Sequence, residues 1–147
     1  MNRNFIAIDD RETLKNTKGQ HILLVEDTKI NQLIVAKFLK TWHLTIDYAS
    51  NGIEAIEQAR QNKYDLILMD LQMPEMDGYD ATHHIRKIEA HADTPIIALT
   101  ASALVEERER AFEAGVTDYL TKPFSPTELY DKIVDYVQVG GEAPKIT

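Results

Sequence analysis

The chain has 147 residues, 44% of them hydrophobic and 27% charged, which suits one ordinary globular domain long enough to bury a core. Its net charge of −8 argues against a nucleic-acid-binding face, since phosphate contacts need basic residues. The absence of cysteine excludes disulfides and thiolate metal sites; no apolar run approaches the roughly 18 residues of a membrane span and no signal-peptide core opens the chain, so cytoplasm is the expected compartment, without a membrane partner.

Residues 1–20 are polar and poorly patterned, with Asp9-Asp10-Arg11-Glu12 a solvated charge run and Lys18-Gly19 a break. They read as a leader or linker. His21 to Glu26, with its run Ile22-Leu23-Leu24-Val25, predicts a first strand. Ile30, Leu33, Ile34, Lys37 and Phe38 then recur at helical spacing and predict an apolar helix face to about Leu39. Thr45 to Ala49 is a short, less apolar strand, expected at a sheet edge. Asn51-Gly52 starts a helix through Ile53, Ile56 and Ala59. Leu66 to Asp70 is a fully buried third strand. Tyr79 to about Glu89 is a helix with Ala81, Ile85 and Ile88 inward. Thr94-Pro95 leads into the fourth strand, Ile96 to Leu99. Glu106 to Ala114 is a helix closed by Gly115. Tyr119 to Thr121 is the fifth strand. Ser125-Pro126-Thr127-Glu128 opens the last helix, with Leu129, Ile133 and Val137 as its buried stripe. Residues 139–147 read as a flexible tail.

Strands alternating with helices predict an α/β, flavodoxin-like doubly wound (βα)5 domain with a five-stranded parallel sheet in the order 2-1-3-4-5. The first apolar run ends in Glu26-Asp27, the third in Asp70, the fourth in Thr100 and the fifth strand in Lys122. In a parallel sheet these ends share one edge, where ligands bind. Any one of them alone reads blandly: Asp70 as a turn residue, Lys122 as a surface cation, Thr100 as a strand end, Tyr119 as a half-buried strand aromatic. Met69, Met73, Met76 and Trp42 read as packing residues, and His83-His84 as helix surface. Together the strand ends describe a metal-assisted phosphoryl site.

Clustered carboxylates repel, and a cation relieves them. Mg2+ takes oxygen ligands, usually one or two carboxylates with water and phosphate. Asp27 and Asp70 are the expected direct ligands, with the longer Glu26 acting through water. Asp70, central and backed by the others, is the candidate nucleophile for an aspartyl phosphate. Mg2+, Lys122 and the Thr100 hydroxyl would each neutralise one phosphoryl oxygen.

These residues, with Asn51-Gly52-Ile53-Glu54-Ala55, Asp70-Leu71-Gln72-Met73-Pro74-Glu75-Met76-Asp77-Gly78, Ala98-Leu99-Thr100-Ala101 and Lys122-Pro123-Phe124, make the chain resemble the receiver domain of two-component response regulators. The resemblance runs from about residue 21 to 138. It implies a phosphorelay switch that takes a phosphoryl group from a phosphohistidine onto Asp70 with Mg2+, Mn2+ being an expected substitute. The domain would catalyse its own phosphorylation and dephosphorylation and is not otherwise an enzyme. The resemblance implies Glu26, Asp27, Asp70 and the backbone carbonyl of Gln72 around the metal. It implies Thr100 and Lys122 as phosphoryl sensors, Tyr119 as the switch aromatic, and Ala101 as a small position admitting phosphate. Gln72 and Ser102 would tune the phosphoryl lifetime, and the Lys122-Pro123 bond would be cis. Expected partners are a histidine kinase or histidine phosphotransfer protein and a downstream output protein, with a phosphorylation-dependent homodimer as a further expectation. Glu26 stands where the family often has Asp. The stretch Glu26 to Gln32 resembles receivers fused to hybrid sensor kinases, which would make the leader a linker cut from a longer chain. No output segment follows residue 138, so output would pass to a partner protein. Two other readings stand beside this one. A haloacid-dehalogenase-type phosphatase wants a second Asp two residues after the nucleophile, where Gln72 stands. A degenerate receiver used only for interaction would not need these acids, Thr100 and Lys122.

Overall fold

The apolar runs form strands whose two faces are both covered, which is why they are continuous rather than alternating. The computed structural model describes residues 20–144; the expected leader, except for Gln20, lies outside the described residues. Strands β1 (His21–Val25), β2 (Thr45–Ala49), β3 (Leu66–Asp70), β4 (Ile96–Thr100) and β5 (Asp118–Thr121) pair in parallel in the order β2-β1-β3-β4-β5. Helices α1 (Lys29–Thr41), α2 (Gly52–Gln61), α3 (Gly78–Arg86), α4 (Val105–Ala114) and α5 (Pro126–Val134) connect and follow them. This is the expected flavodoxin-like (βα)5 fold, with β2 at an edge and β1 beside β3.

The two-residue period of the strands divides the core. Leu23, Val25, Ile67, Met69, Ile96 and Ala98 face one side, against Ala55, Ile56 and Ala59 of α2, Ala81 and Ile85 of α3 and Ala111 of α4. Ile22, Leu24, Leu66, Leu68, Ile97 and Leu99 face the other, against Val35 and Leu39 of α1, Trp42, and Leu129 and Ile133 of α5. Asn51 and Asp77 cap α2 and α3 through side-chain oxygens, and Ser125 with Glu128 forms a full capping box on α5.

Several local readings shift. The buried face of α1 is Gln32, Val35, Ala36 and Leu39, while Ile30, Leu33 and Ile34 are 71%, 60% and 53% exposed. Both sets obey helical spacing. Packing selects the set containing Ala36, which permits close approach to the sheet, and Gln32, whose amide finds a buried partner. Ile53 likewise points outward. Helix α3 stops at Arg86, because Ile88 is extended and begins a 3-10 turn over Glu89–His91. Helix α4 begins one residue early, at Val105, and Gly115 closes it in the left-handed conformation. Val137 lies beyond the end of α5 yet still packs on the core. Val139 packs on the same core, and Gly140 N–H donates to the Trp42 carbonyl at 2.8 Å, at the end of α1.

Candidate functional site

Strand register brings the functional side chains to one edge. Val25 pairs with Met69, so Glu26 and Asp70 follow as neighbours; Asp70 pairs with Leu99 and Thr100 with Thr121, so Thr100 and Lys122 complete the row. Carboxylate oxygens of Glu26, Asp27 and Asp70 lie within 4.8 Å of one another. Lys122 Nζ sits 3.0 Å from Glu26 Oε1 and 3.5 Å from Asp70 Oδ2. The Lys122–Pro123 peptide bond is cis.

Burial differs among the three acids. Glu26 is 2% and Asp70 3% exposed, whereas Asp27 faces solvent. Every oxygen of the Glu26 side chain is already engaged: Lys122 binds Oε1, while Thr28 N and Oγ1 at 3.2 Å and Asn31 Nδ2 at 3.5 Å donate to Oε2. Gln32 Nε2 donates to the Glu26 carbonyl at 2.7 Å. Sequence reading did not single out Thr28, Asn31 or Gln32. Short polar side chains in the turn after a strand-end acid are the signal that could have found them.

The same contacts set the electrostatics. Burial pushes the Asp70 carboxyl up to about 6; the Lys122 ammonium opposes the rise, and the Glu26 and Asp27 charges add to it. Glu26 moves the other way. Burial alone would raise it, but the Lys122 hydrogen bond and the Thr28 N–H together hold it below the ordinary carboxylate range. Lys122 is raised in spite of burial, because Glu26 and Asp70 both favour its charged form. The pocket therefore offers one exposed carboxylate, one buried carboxylate that ionises reluctantly, and a third held by its own partners. An all-oxygen donor set of this kind suits a hard divalent cation, whose charge would let Asp70 ionise fully.

The loop after Asp70 is tied down at several points. Gln72 N–H donates to Asp70 Oδ1 at 3.1 Å, and Gly78 N–H donates to the Leu71 carbonyl at 3.2 Å. A side chain at Gly78 would run into the Asp70 carbonyl oxygen, and one at Gly52 would meet Met76. From this loop the Gln72 side chain crosses to β4. Its Nε2 donates to Thr100 Oγ1 at 3.1 Å, and its Oε1 accepts from Ala101 N–H at 3.3 Å. Ser102 N–H also donates to Thr100 Oγ1, at 3.1 Å.

Tyr119 lies on the outer strand, half-buried. The Arg108 guanidinium stands 4.5 Å from its ring centre, and Phe112 meets the ring edge-on at 6.2 Å. A water-sized cavity of about 10 Å³ is bordered by Thr100, Ala111 and Tyr119. The roomier cavity, about 790 Å³, lies away from the acids, between Phe38 and Trp42 of the α1 end, the start of α5 and residues 142–144.

A family model described as the response regulator receiver domain matches residues 22–134. The receiver domain of sensor histidine kinase PA1611 from Pseudomonas aeruginosa PAO1, solved with a magnesium ion coordinated in its active site cleft, is 43% identical; it superposes with a TM-score of 0.75, covering 80% of this chain and 96% of that one. Hybrid signal transduction histidine kinase B of Dictyostelium discoideum is 38% identical over 128 residues, 80% of this chain but 6% of that protein. Signal transduction histidine-protein kinase BarA of Escherichia coli K12 is 33% identical over 125 residues, 85% of this chain and 14% of that protein. The chain thus spans only a small part of these curated relatives. A match that runs from the first core strand to the last helix fixes the family: this chain belongs to the response regulator receiver domains.

Proposed function

We propose that the chain is a phosphoacceptor switch in which Asp70 takes a phosphoryl group from a phosphohistidine on a partner protein. One observation carries this reading: the Lys122 ammonium lies 3.5 Å from Asp70, inside a cluster of three carboxylates at the carboxyl edge of the sheet. An Asp70 oxygen attacks phosphorus, the P–N bond to the imidazole breaks, and an acyl phosphate forms. A water later attacks the same phosphorus and Asp70 leaves as carboxylate. Mg2+ held at this site would supply positive charge to the phosphoryl oxygens. Asp27, Asp70 and the Gln72 carbonyl would hold that ion directly and Glu26 would act through water, since its oxygens are already engaged by this chain's own donors. Lys122 neutralises a second oxygen. Thr100 donates to a third, and its movement is read out by Tyr119. Gln72 and Ser102, bordering Thr100, tune the lifetime of the acyl phosphate.

In this reading residues 21–138 are the receiver domain, 1–20 a leader or linker and 139–147 a tail. The donor is a histidine kinase or histidine phosphotransfer protein, and the output is carried by a downstream protein or a phosphorylation-dependent homodimer. Likeness to hybrid histidine kinases supports an origin within such a chain. Among the described residues no helix is long and apolar enough to cross a membrane, in keeping with action in the cytoplasm.

The test is intact mass after incubation with acetyl phosphate and Mg2+. A single phosphoryl adduct is expected, absent without divalent metal and absent in Asp70→Asn. No adduct on the unaltered protein, or an equal adduct on the variant, would sink the proposal.

A further inference from the structure

The Gln72 side chain crosses from the loop after Asp70 to the end of β4. Strands β3 and β4 are neighbours, with Asp70 opposite Leu99, so the edge between them is bounded by Asp70 on one side and Thr100-Ala101 on the other. The amide closes that edge with two hydrogen bonds in opposite senses, its Nε2 donating to Thr100 Oγ1 and its Oε1 accepting from Ala101 N–H. Thr100 Oγ1 accepts a second hydrogen bond from Ser102 N–H, so both of its lone pairs are engaged. We propose that Gln72 is a resting-state latch: its amide holds the Thr100 hydroxyl and the Ala101 N–H, and it must swing out before these groups can bind a phosphoryl group on Asp70. This inference rests on the phosphoacceptor reading above and deepens it.

The chemistry of the two occupants differs in a way that forces the exchange. A phosphoryl oxygen only accepts hydrogen bonds. It needs Ala101 N–H, which Gln72 Oε1 now occupies, and it needs Thr100 turned so that its O–H points inward. Both oxygens cannot take the one N–H at full strength. Gln72 is itself exposed, so its side chain has solvent to move into and water to replace its lost partners. The backbone N–H of the same residue stays on Asp70 Oδ1, so the loop need not move with it. The resemblance gives position 72 a part in how long the acyl phosphate lasts; the hydrogen bonds give it an earlier part, in how readily the phosphate arrives. A hydrogen bond of this kind corresponds to a factor of roughly two to ten in an equilibrium.

Two variants, Gln72→Ala and Gln72→Leu, remove both bonds, and the second keeps much of the side-chain bulk. With saturating Mg2+ and acetyl phosphate, the initial rate of adduct formation by intact mass is expected to rise about threefold to tenfold in both. Decay after donor removal is measured separately. Affinity for beryllium trifluoride, a phosphoryl mimic, is expected to tighten by a similar factor. The backbone amide resonance of Ala101 supplies a readout that bulk stability does not move: it should shift on substitution in the resting protein, and converge between variant and unaltered protein once the mimic is bound. An unmoved Ala101 resonance overturns the latch. So do initial rates and mimic affinities equal to, or weaker than, those of the unaltered protein. Failure of the unaltered protein to form any adduct is a different result and removes the phosphoacceptor reading itself.

Discussion

Asp70 carries an electrostatic cost that shows up in stability. Its folded carboxyl titrates at about 6, chiefly through burial, against about 4 in an unfolded chain. Between those values the folded protein holds a proton that the unfolded chain has released. Asp70's contribution to metal-free stability is therefore greatest below about pH 4 and is lost as pH rises through about 6. Asp70→Asn removes the ionisation and should stabilise the metal-free protein at pH 7 by about 1–3 kcal/mol, with little gain at pH 4. Thermal melts across that range, in chelator, check this; a variant less stable than the parent at pH 7 contradicts it. Added Mg2+ should raise the melting temperature of the parent far more than that of the variant. At this scale Glu26, Asp27, Asp70, Thr100 and Lys122 are legible in sequence because each ends or closely follows a strand, and a strand end has an address in a parallel sheet. The bridging amide of Gln72 and the props Thr28, Asn31 and Gln32 are not. Their bonds depend on the path of a loop or the rotation of a helix, which no residue period encodes.

Among elements, α1 shows where periodicity stops being informative. Two interleaved sets satisfy the same helical spacing, and the one with the larger aliphatics, Ile30, Leu33 and Ile34, faces outward. The choice is made by close packing at Ala36 and by the hydrogen bond of Gln32 to the Glu26 carbonyl just after β1. Strands are more legible, because a continuous apolar run has no second face to choose. Helix α3 begins against the backbone of Asp70, so Gly78→Ala should cost about 1–3 kcal/mol and slow phosphorylation together, the added methyl having nowhere to go but into the Asp70 carbonyl. Denaturant midpoint and adduct rate on the same sample test it, and a fully stable variant argues against the close approach. Helix α4 reaches β5 through the Arg108 guanidinium over Tyr119. Arg108→Ala should cost about 0.5–1 kcal/mol and leave the Tyr119 ring in faster flipping exchange, seen by NMR; unchanged ring dynamics would mean that Phe112 alone sets the ring.

For the molecule as a whole, the chain beyond α5 turns back onto α1 rather than leaving the surface at once. Gly141 adopts a left-handed φ of 74°, and a side chain there would meet the Thr41 carbonyl. This return covers Trp42, the only tryptophan, which is 1% exposed and lies edge-on to Tyr130 at 5.1 Å. Deleting residues 139–147 should lower stability by about 1–2 kcal/mol and shift tryptophan emission to the red. Identical emission and an identical denaturation midpoint would show that the return contributes nothing. Composition and strand pattern could not foretell it, since Gly140-Gly141 reads equally well as a free linker. The longest reach in the site has a further meaning. Lys122 and Glu26 are 96 residues apart in the chain, yet share one hydrogen bond beside Asp70. A molecule that has laid down β1 to β4 but not β5 owns an acceptor without its lysine. On the proposed chemistry, such half-built copies lack the cation that would neutralise a phosphoryl oxygen. On that chemistry, the charge that steadies an incoming phosphoryl group arrives only with the last strand, so the site is a property of the whole sheet and of no shorter piece.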